Sequence, residues 1–107
     1  KLLFTRSGLL FFLVFLTTVQ PVLGQLTKIM GTVTDKTNGE PMPYVNIIFN
    51  DKAIGITTDF SGKYSIETKT AGDSLIASFI GYERQEKKVE KGKFQIINFE
   101  MFPHEFE

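Results

Sequence analysis

The sequence predicts an all-β fold, an antiparallel β-sandwich of about seven strands, preceded by an N-terminal signal peptide. Three observations carry the prediction. Short segments alternate apolar and polar residues with a period of two, the repeat that puts one face of a strand in a core. Turn residues (Gly, Pro, Asn and Asp) recur between these segments, at roughly the eight-to-twelve-residue spacing of sandwich folds. No stretch after residue 24 carries a convincing helical period.

The first 24 residues are of another kind. Lys1 and Arg6 give a basic start, "GLLFFLVFLTTV" an apolar run, and Pro21 a break before "VLGQ". Val22 and Gly24 are small residues at the −3 and −1 positions, so residues 1–24 read as a secretory signal peptide cut between Gly24 and Gln25. The apolar run is shorter than the roughly 18 to 20 residues needed to span a bilayer. Removing Lys1 and Arg6 leaves 10 basic against 12 acidic groups, a net charge of −2.

The elements follow in order from Lys28. "KIMGTVTD" sets Ile29, Gly31 and Val33 on one face, and "KTNGEPMP", with Asn38-Gly39 and two prolines, reads as a loop. "YVNIIFN" turns Val45, Ile47 and Phe49 inward; Ile54, Ile56 and Thr58 alternate next. Past the turn at Asp59 to Lys63, Tyr64 and Ile66 face the core. "SLIASFIGY" resumes with Leu75, Ala77 and Phe79 inward. "ERQEKKVEKGK" favours helix intrinsically, but only Tyr82 and Val89 could anchor one; it reads as a solvated strand with a turn at Glu90 to Lys93. "FQIINFEM" is the last strand. One domain over residues 25–102 results, with 103–107 as the start of a linker. The sequence, lacking an initiator Met, is expected to be incomplete at its start and to continue past Glu107 into a C-terminal domain.

Composition excludes several functions. Twelve basic and twelve acidic residues leave no basic stripe for a nucleic acid. Without cysteine there is no disulfide frame, thiol nucleophile, zinc ribbon or lipidated cysteine, so stability must come from the hydrophobic core.

The order "GTVTD", "NGEPMPYVNIIF", "GITTDFSGKYSI" and "AGDSLIASFIGYERQEKKV" is distinctive. It resembles the carboxypeptidase-regulatory-like domain, a transthyretin-like β-sandwich, in the form found at the N-terminus of TonB-dependent receptors and other Gram-negative outer-membrane proteins. The likeness runs from about Ile29 to Val89. Met42 stands where Leu is usual, and Tyr44 where a small residue such as Gly or Ala is common. The resemblance implies an exported protein of the periplasm or outer membrane and a non-catalytic accessory role, with no cofactor.

Candidate sites are few. Asp59 at the head of a turn accepts backbone N–H groups, and Gly62 supplies the positive φ that closes a hairpin, so Asp59 and Gly62, like Asn38 and Gly39, read as structural turn residues. One carboxylate and a hydroxyl fall short of the six to eight oxygens of a calcium cage. His104-x-x-Glu107 has the spacing of a zinc pair, yet zinc catalysis needs a third ligand, and His104 is the only histidine. The same shortage removes serine catalysis at Ser61, Ser65, Ser74 and Ser78. The carboxylates Asp35, Asp59, Asp73, Glu40 and Glu67 are expected to be solvated at turns or outward strand positions. Phe60 and Tyr44 are the candidate ligand-facing aromatics; Tyr64 and Tyr82 are expected to pack, each hydroxyl reaching a partner. A glycan- or peptide-binding module is the alternative function, and an accessory domain of a metallocarboxypeptidase a weaker one. The expected partners are that C-terminal domain and an envelope protein or glycan.

Overall fold

The structure, a computed structural model, describes residues 25–104. The expected leader over 1–24, with Gly24 of the cleavage pair, lies outside the described residues, as do 105–107 of the expected linker. Among the described residues eight strands follow one another: β1 (Thr27–Asp35), β2 (Asn46–Phe49), β3 (Gly55–Thr57), β4 (Lys63–Thr68), β5 (Ser74–Ser78), β6 (Gln85–Lys88), β7 (Phe94–Ile96) and β8 (Phe99–Met101). They form two four-stranded sheets, one in the order β4-β1-β7 with β8 also on β1, the other β3-β2-β5-β6.

The core lies between the inward faces. Ile29 and Val33 of β1 and Phe99 of β8 are fully enclosed against Ile47 of β2 and Leu75 and Ala77 of β5. Alternation explains why these strands form: in β4 Tyr64 and Ile66 are buried while Lys63, Ser65 and Glu67 are exposed. The Glu- and Lys-rich segment is a strand, β6, with an exposed outer surface, and Val89 beyond it turns into the core.

Two features depart from a simple alternating reading. The last two strands run parallel to β1, whereas every other pairing between these strands is antiparallel. The segment "FQIINFEM" is also not one strand. It keeps its register on β1, with Met30 opposite Ile96 and Val33 opposite Phe99, but the ladder breaks between them. Ile97 N–H still donates to Met30 O at 2.9 Å, while its carbonyl turns away to accept the Tyr64 hydroxyl at 2.5 Å. The Thr32 N–H, left without that carbonyl, is satisfied by Asn98 Oδ1 at 2.9 Å. A side-chain amide thus bridges the break. Gly31 makes room: a Cβ there would collide with Ile97 O.

The first and last described residues lie closely on the sandwich. Gln25 lies against Gly92 in the β6–β7 turn, where a Cβ would collide with its Oε1. At the other end Pro103 bridges to Tyr82, and His104 N–H donates to Gly81 O at 2.9 Å.

Candidate functional site

The turn from Thr58 to Tyr64 is not the expected hairpin: β3 and β4 do not pair, and this corner carries the chain from the β3 sheet into β4 of the other sheet. Asp59 and Lys63 pair through Asp59 N–H to Lys63 O at 2.8 Å, and Gly62 N–H returns to Asp59 O at 2.9 Å. Asp59 Oδ1 accepts from Ser61 N–H at 2.8 Å and Lys63 N–H at 2.9 Å. Gly62 has φ +73, the left-handed conformation that closes such a loop. Its missing side chain serves a second need, since a Cβ would meet Val33 O at 2.7 Å and Met42 N at 2.9 Å. That contact seats the corner on β1, and Val33 N–H donates to Gly62 O at 2.8 Å.

Thr58 is fully buried and ties the corner to the preceding loop. Its Oγ1 donates to Met42 O at 2.6 Å and accepts Val45 N–H at 2.9 Å. Tyr44 N–H donates to Thr58 O, and Thr58 N–H to Val45 O, both at 3.0 Å, so two residues face one. At this bulge Tyr44 takes φ +62, the one non-glycine with a positive φ among the described residues. Glycine adopts that backbone without strain, and tyrosine does not.

The loop from Asp35 to Glu40 is a tight return. Gly39, at φ +73, donates its N–H to Asp35 O at 2.7 Å, and Asn38 Oδ1 accepts Glu40 N–H at 3.0 Å. Asp35 differs from the sequence expectation of a solvated carboxylate: it is only 7% exposed. Oδ1 accepts the Thr37 hydroxyl at 2.5 Å and its N–H at 2.8 Å, and Oδ2 accepts the Tyr82 hydroxyl at 2.5 Å. The hydrogen bonds from Thr37, then from Tyr82, hold the Asp35 carboxyl below the usual carboxylate range, and the Asp35 bond pushes the Tyr82 phenol up.

These loops enclose an open cleft of about 340 Å³. Asp35 and Glu40 line it together with Tyr44, Phe79 and Tyr82, the last two also packed against the core. Phe79 and Tyr82 stand edge to face with centroids 5.8 Å apart. Sequence reasoning weighed Tyr44 and Tyr82 with Phe60 and Tyr64 as one aromatic platform and missed Phe79 and the cleft. Its one sequence-level signal is Tyr44 at a position where the family pattern has a small residue.

The other candidates are dispersed. Phe60, 82% exposed, tips the corner and does not line the cleft. Tyr64 is buried, and burial pushes its phenol up. His104 is exposed near Thr37, Glu83 and Phe102; Glu107, its partner in the zinc spacing, lies outside the described residues. Ser74 donates to Glu86, while Ser61 and Ser65 are exposed on the corner and β4. Among the described residues no three His, Asp or Glu side chains are grouped to hold a metal ion. No described helix is long and apolar enough to cross a membrane. The β7 edge carries exposed Phe94 and Ile96. Because Lys28 N–H donates to Lys93 O and Ile97 N–H to Met30 O, the backbone groups of Phe94 and Ile96 point away from β1.

The model of the CarboxypepD_reg-like domain matches residues 29–106. The chain belongs to this family. The corner at Asp59 and the crossing at Gly31 both lie within the matched residues. Curated relatives include TonB-dependent receptors of Formosa agariphila. TonB-dependent receptor P39 is 36% identical over 91 residues, 83% of this chain and 9% of the receptor. TonB-dependent receptor P3 is 40% identical over 68 residues, 64% of this chain and 7% of that receptor. The chain therefore spans less than a tenth of either relative's length. Among solved structures, a Bacteroides fragilis protein of unknown function superposes with a TM-score of 0.52 at 20% identity, over 78% of this chain and 30% of that one, which is a likeness of fold.

Proposed function

We propose that the chain is a non-catalytic accessory module of an exported envelope protein, the N-terminal part of a longer TonB-dependent receptor. The observation that carries this is the pairing of a family match over most of the chain with coverage of only 7% and 9% of the receptor relatives. The leader-like residues 1–24 support export, and the receptor relatives support the periplasm or outer membrane of a Gram-negative bacterium. In this role Asp59, Gly62, Asn38 and Gly39 are turn residues, a reading supported by Asp59 Oδ1 and Asn38 Oδ1, which accept backbone N–H groups of their own turns.

The module's work is spacing and docking. The outward N–H and C=O groups of Phe94 and Ile96 favour β-strand addition at the β7 edge. Reading the open frame beyond Glu107 tests the assignment. Receptor plug and barrel sequence supports it; a hydrolase domain or an immediate stop codon overturns it. In-frame deletion of residues 25–104 from that receptor then leaves the barrel in the membrane with impaired uptake.

A further inference from the structure

The two ends of the sandwich differ in chemistry. At the end where β1 starts, the loops 50–54, 69–73 and 90–93 carry charges such as Asp51, Lys52, Lys69 and Lys93 and expose no large apolar side chain. At the end where β1 finishes, the pattern reverses. Asn46 pairs with both Thr57 and Ser78, so the segments just beyond that line, at Tyr44, the Thr58–Lys63 corner and the Phe79–Tyr82 turn, emerge side by side. Their tips are apolar: Ile80 is 95% exposed, Phe60 82% and Tyr44 62%. One exposed apolar side chain is ordinary, but three at adjacent loop tips leave in water an apolar patch that a partner surface would bury.

The chain also leaves the sandwich at this end. Glu83 N–H donates to Phe102 O at 2.7 Å, Pro103 bridges to Tyr82, and His104 N–H donates to Gly81 O at 2.9 Å. The exit is thus fastened to the turn whose tip is Ile80. Each further residue adds at most about 3.5 Å, so whatever follows within a few residues is delivered to the patch. The receptor relatives have far more chain to deliver, since the match covers only 7% and 9% of them. Exposed charges around the tips are mixed, Glu40, Asp59 and Glu83 against Lys63 and Arg84. That is the polar rim of a protein interface and not the basic rim that draws a protein to anionic lipid.

We propose that Tyr44, Phe60 and Ile80 form the face by which this module docks on the next domain of the same polypeptide. This rests on the reading of the chain as the N-terminal part of a longer receptor, and the face is separate from the β7 edge. Tethering makes a small face sufficient. At the millimolar effective concentration set by a short linker, a contact with a Kd of about 0.1 mM is closed roughly nine-tenths of the time.

The test is hydroxyl-radical footprinting of the full-length receptor, read by mass spectrometry, in the wild type and in Phe60→Asp/Ile80→Asp. The expected result is that Tyr44, left in place, is oxidised about tenfold faster in the double variant, the protection lost when the tethered contact opens. Ile80→Ser alone moves Tyr44 in the same direction. Leu26, exposed at the opposite end, is oxidised equally in all three, and Tyr64, buried in the core, stays protected, which verifies the fold. Equal oxidation of Tyr44 in wild type and variants overturns the docking and leaves the receptor assignment intact; an open frame with no following domain overturns both. If the 107-residue chain sediments with phosphatidylethanolamine and phosphatidylglycerol vesicles and the double variant does not, the bilayer is the occupant and the proposal fails.

Discussion

The Tyr64 hydroxyl donates to the main-chain carbonyl of Ile97, 33 positions along the chain, at 2.5 Å. This bond turns the Ile97 carbonyl out of the β1 ladder and across Gly31, so one tyrosine, one glycine and one carbonyl fix where β7 ends. Tyr64→Phe leaves a buried carbonyl without its donor and is expected to cost about 1 to 2 kcal/mol. Gly31→Ala places a methyl against that carbonyl, and the ladder must shift; a loss of about 3 kcal/mol is expected. Urea unfolding of both variants checks the order. A Gly31→Ala variant as stable as the wild type would mean that the crossing is absent.

Gly62 and Gly39 share a φ of +73 and differ in their surroundings. Around Gly39 nothing lies within 4 Å of an added Cβ, so Gly39→Ala carries only the backbone cost, about 1 kcal/mol. Gly62→Ala adds the clash with Val33 O and Met42 N and is expected to cost at least twice as much. Comparable midpoints in urea would contradict the close seating of the corner on β1.

Tyr44→Gly removes an aromatic ring yet is expected to raise stability by up to about 1 kcal/mol. Relief of the left-handed strain outweighs the freedom that glycine gains in the unfolded chain. A loss of stability in denaturant unfolding would show instead that the ring packs.

Acid sensitivity follows from Asp35. Its folded pKa lies below the ordinary 3.8, so its bonds stabilise the fold fully above that value, and the contribution is lost as pH falls through the folded pKa. The melting temperature is therefore expected to drop as pH falls below about 4, and to drop less steeply in Asp35→Asn. Asp73, held low by Lys91 at 2.9 Å, adds a component of the same sign, but this exposed pair is screened in 0.5 M NaCl while the Asp35 component persists. An Asp35→Asn profile parallel to the wild type at high salt would show that Asp35 contributes nothing to the acid transition.

Much of the fold is legible from local pattern. Val45, Ile47 and Phe49, and Tyr64 and Ile66, face inward as alternation predicts, because a period of two is a property of the strand itself. Strand direction is not. An alternating segment reads the same whether it joins β1 parallel or antiparallel, and β7 and β8 are parallel. The break at Ile97 depends on a hydroxyl from another strand, and burial of Asp35 on Tyr82, 47 positions away. Turn chemistry at Asp59 and Gly62 is contained in five residues; the aromatic cleft is assembled from loops far apart in sequence.

The assignment of the Thr58-Asp59-x-x-Gly62-x-Tyr64 string to structure rather than chemistry has a direct test: the melting temperature of the wild type and of Asp59→Ala, each with and without 10 mM calcium or zinc chloride. A turn residue predicts a lower melting temperature in Asp59→Ala and no response of either protein to the ions. A ligand that binds only the folded state must raise its melting temperature. A rise in the wild type that disappears in Asp59→Ala would make Asp59 a metal ligand and contradict its assignment as a turn residue.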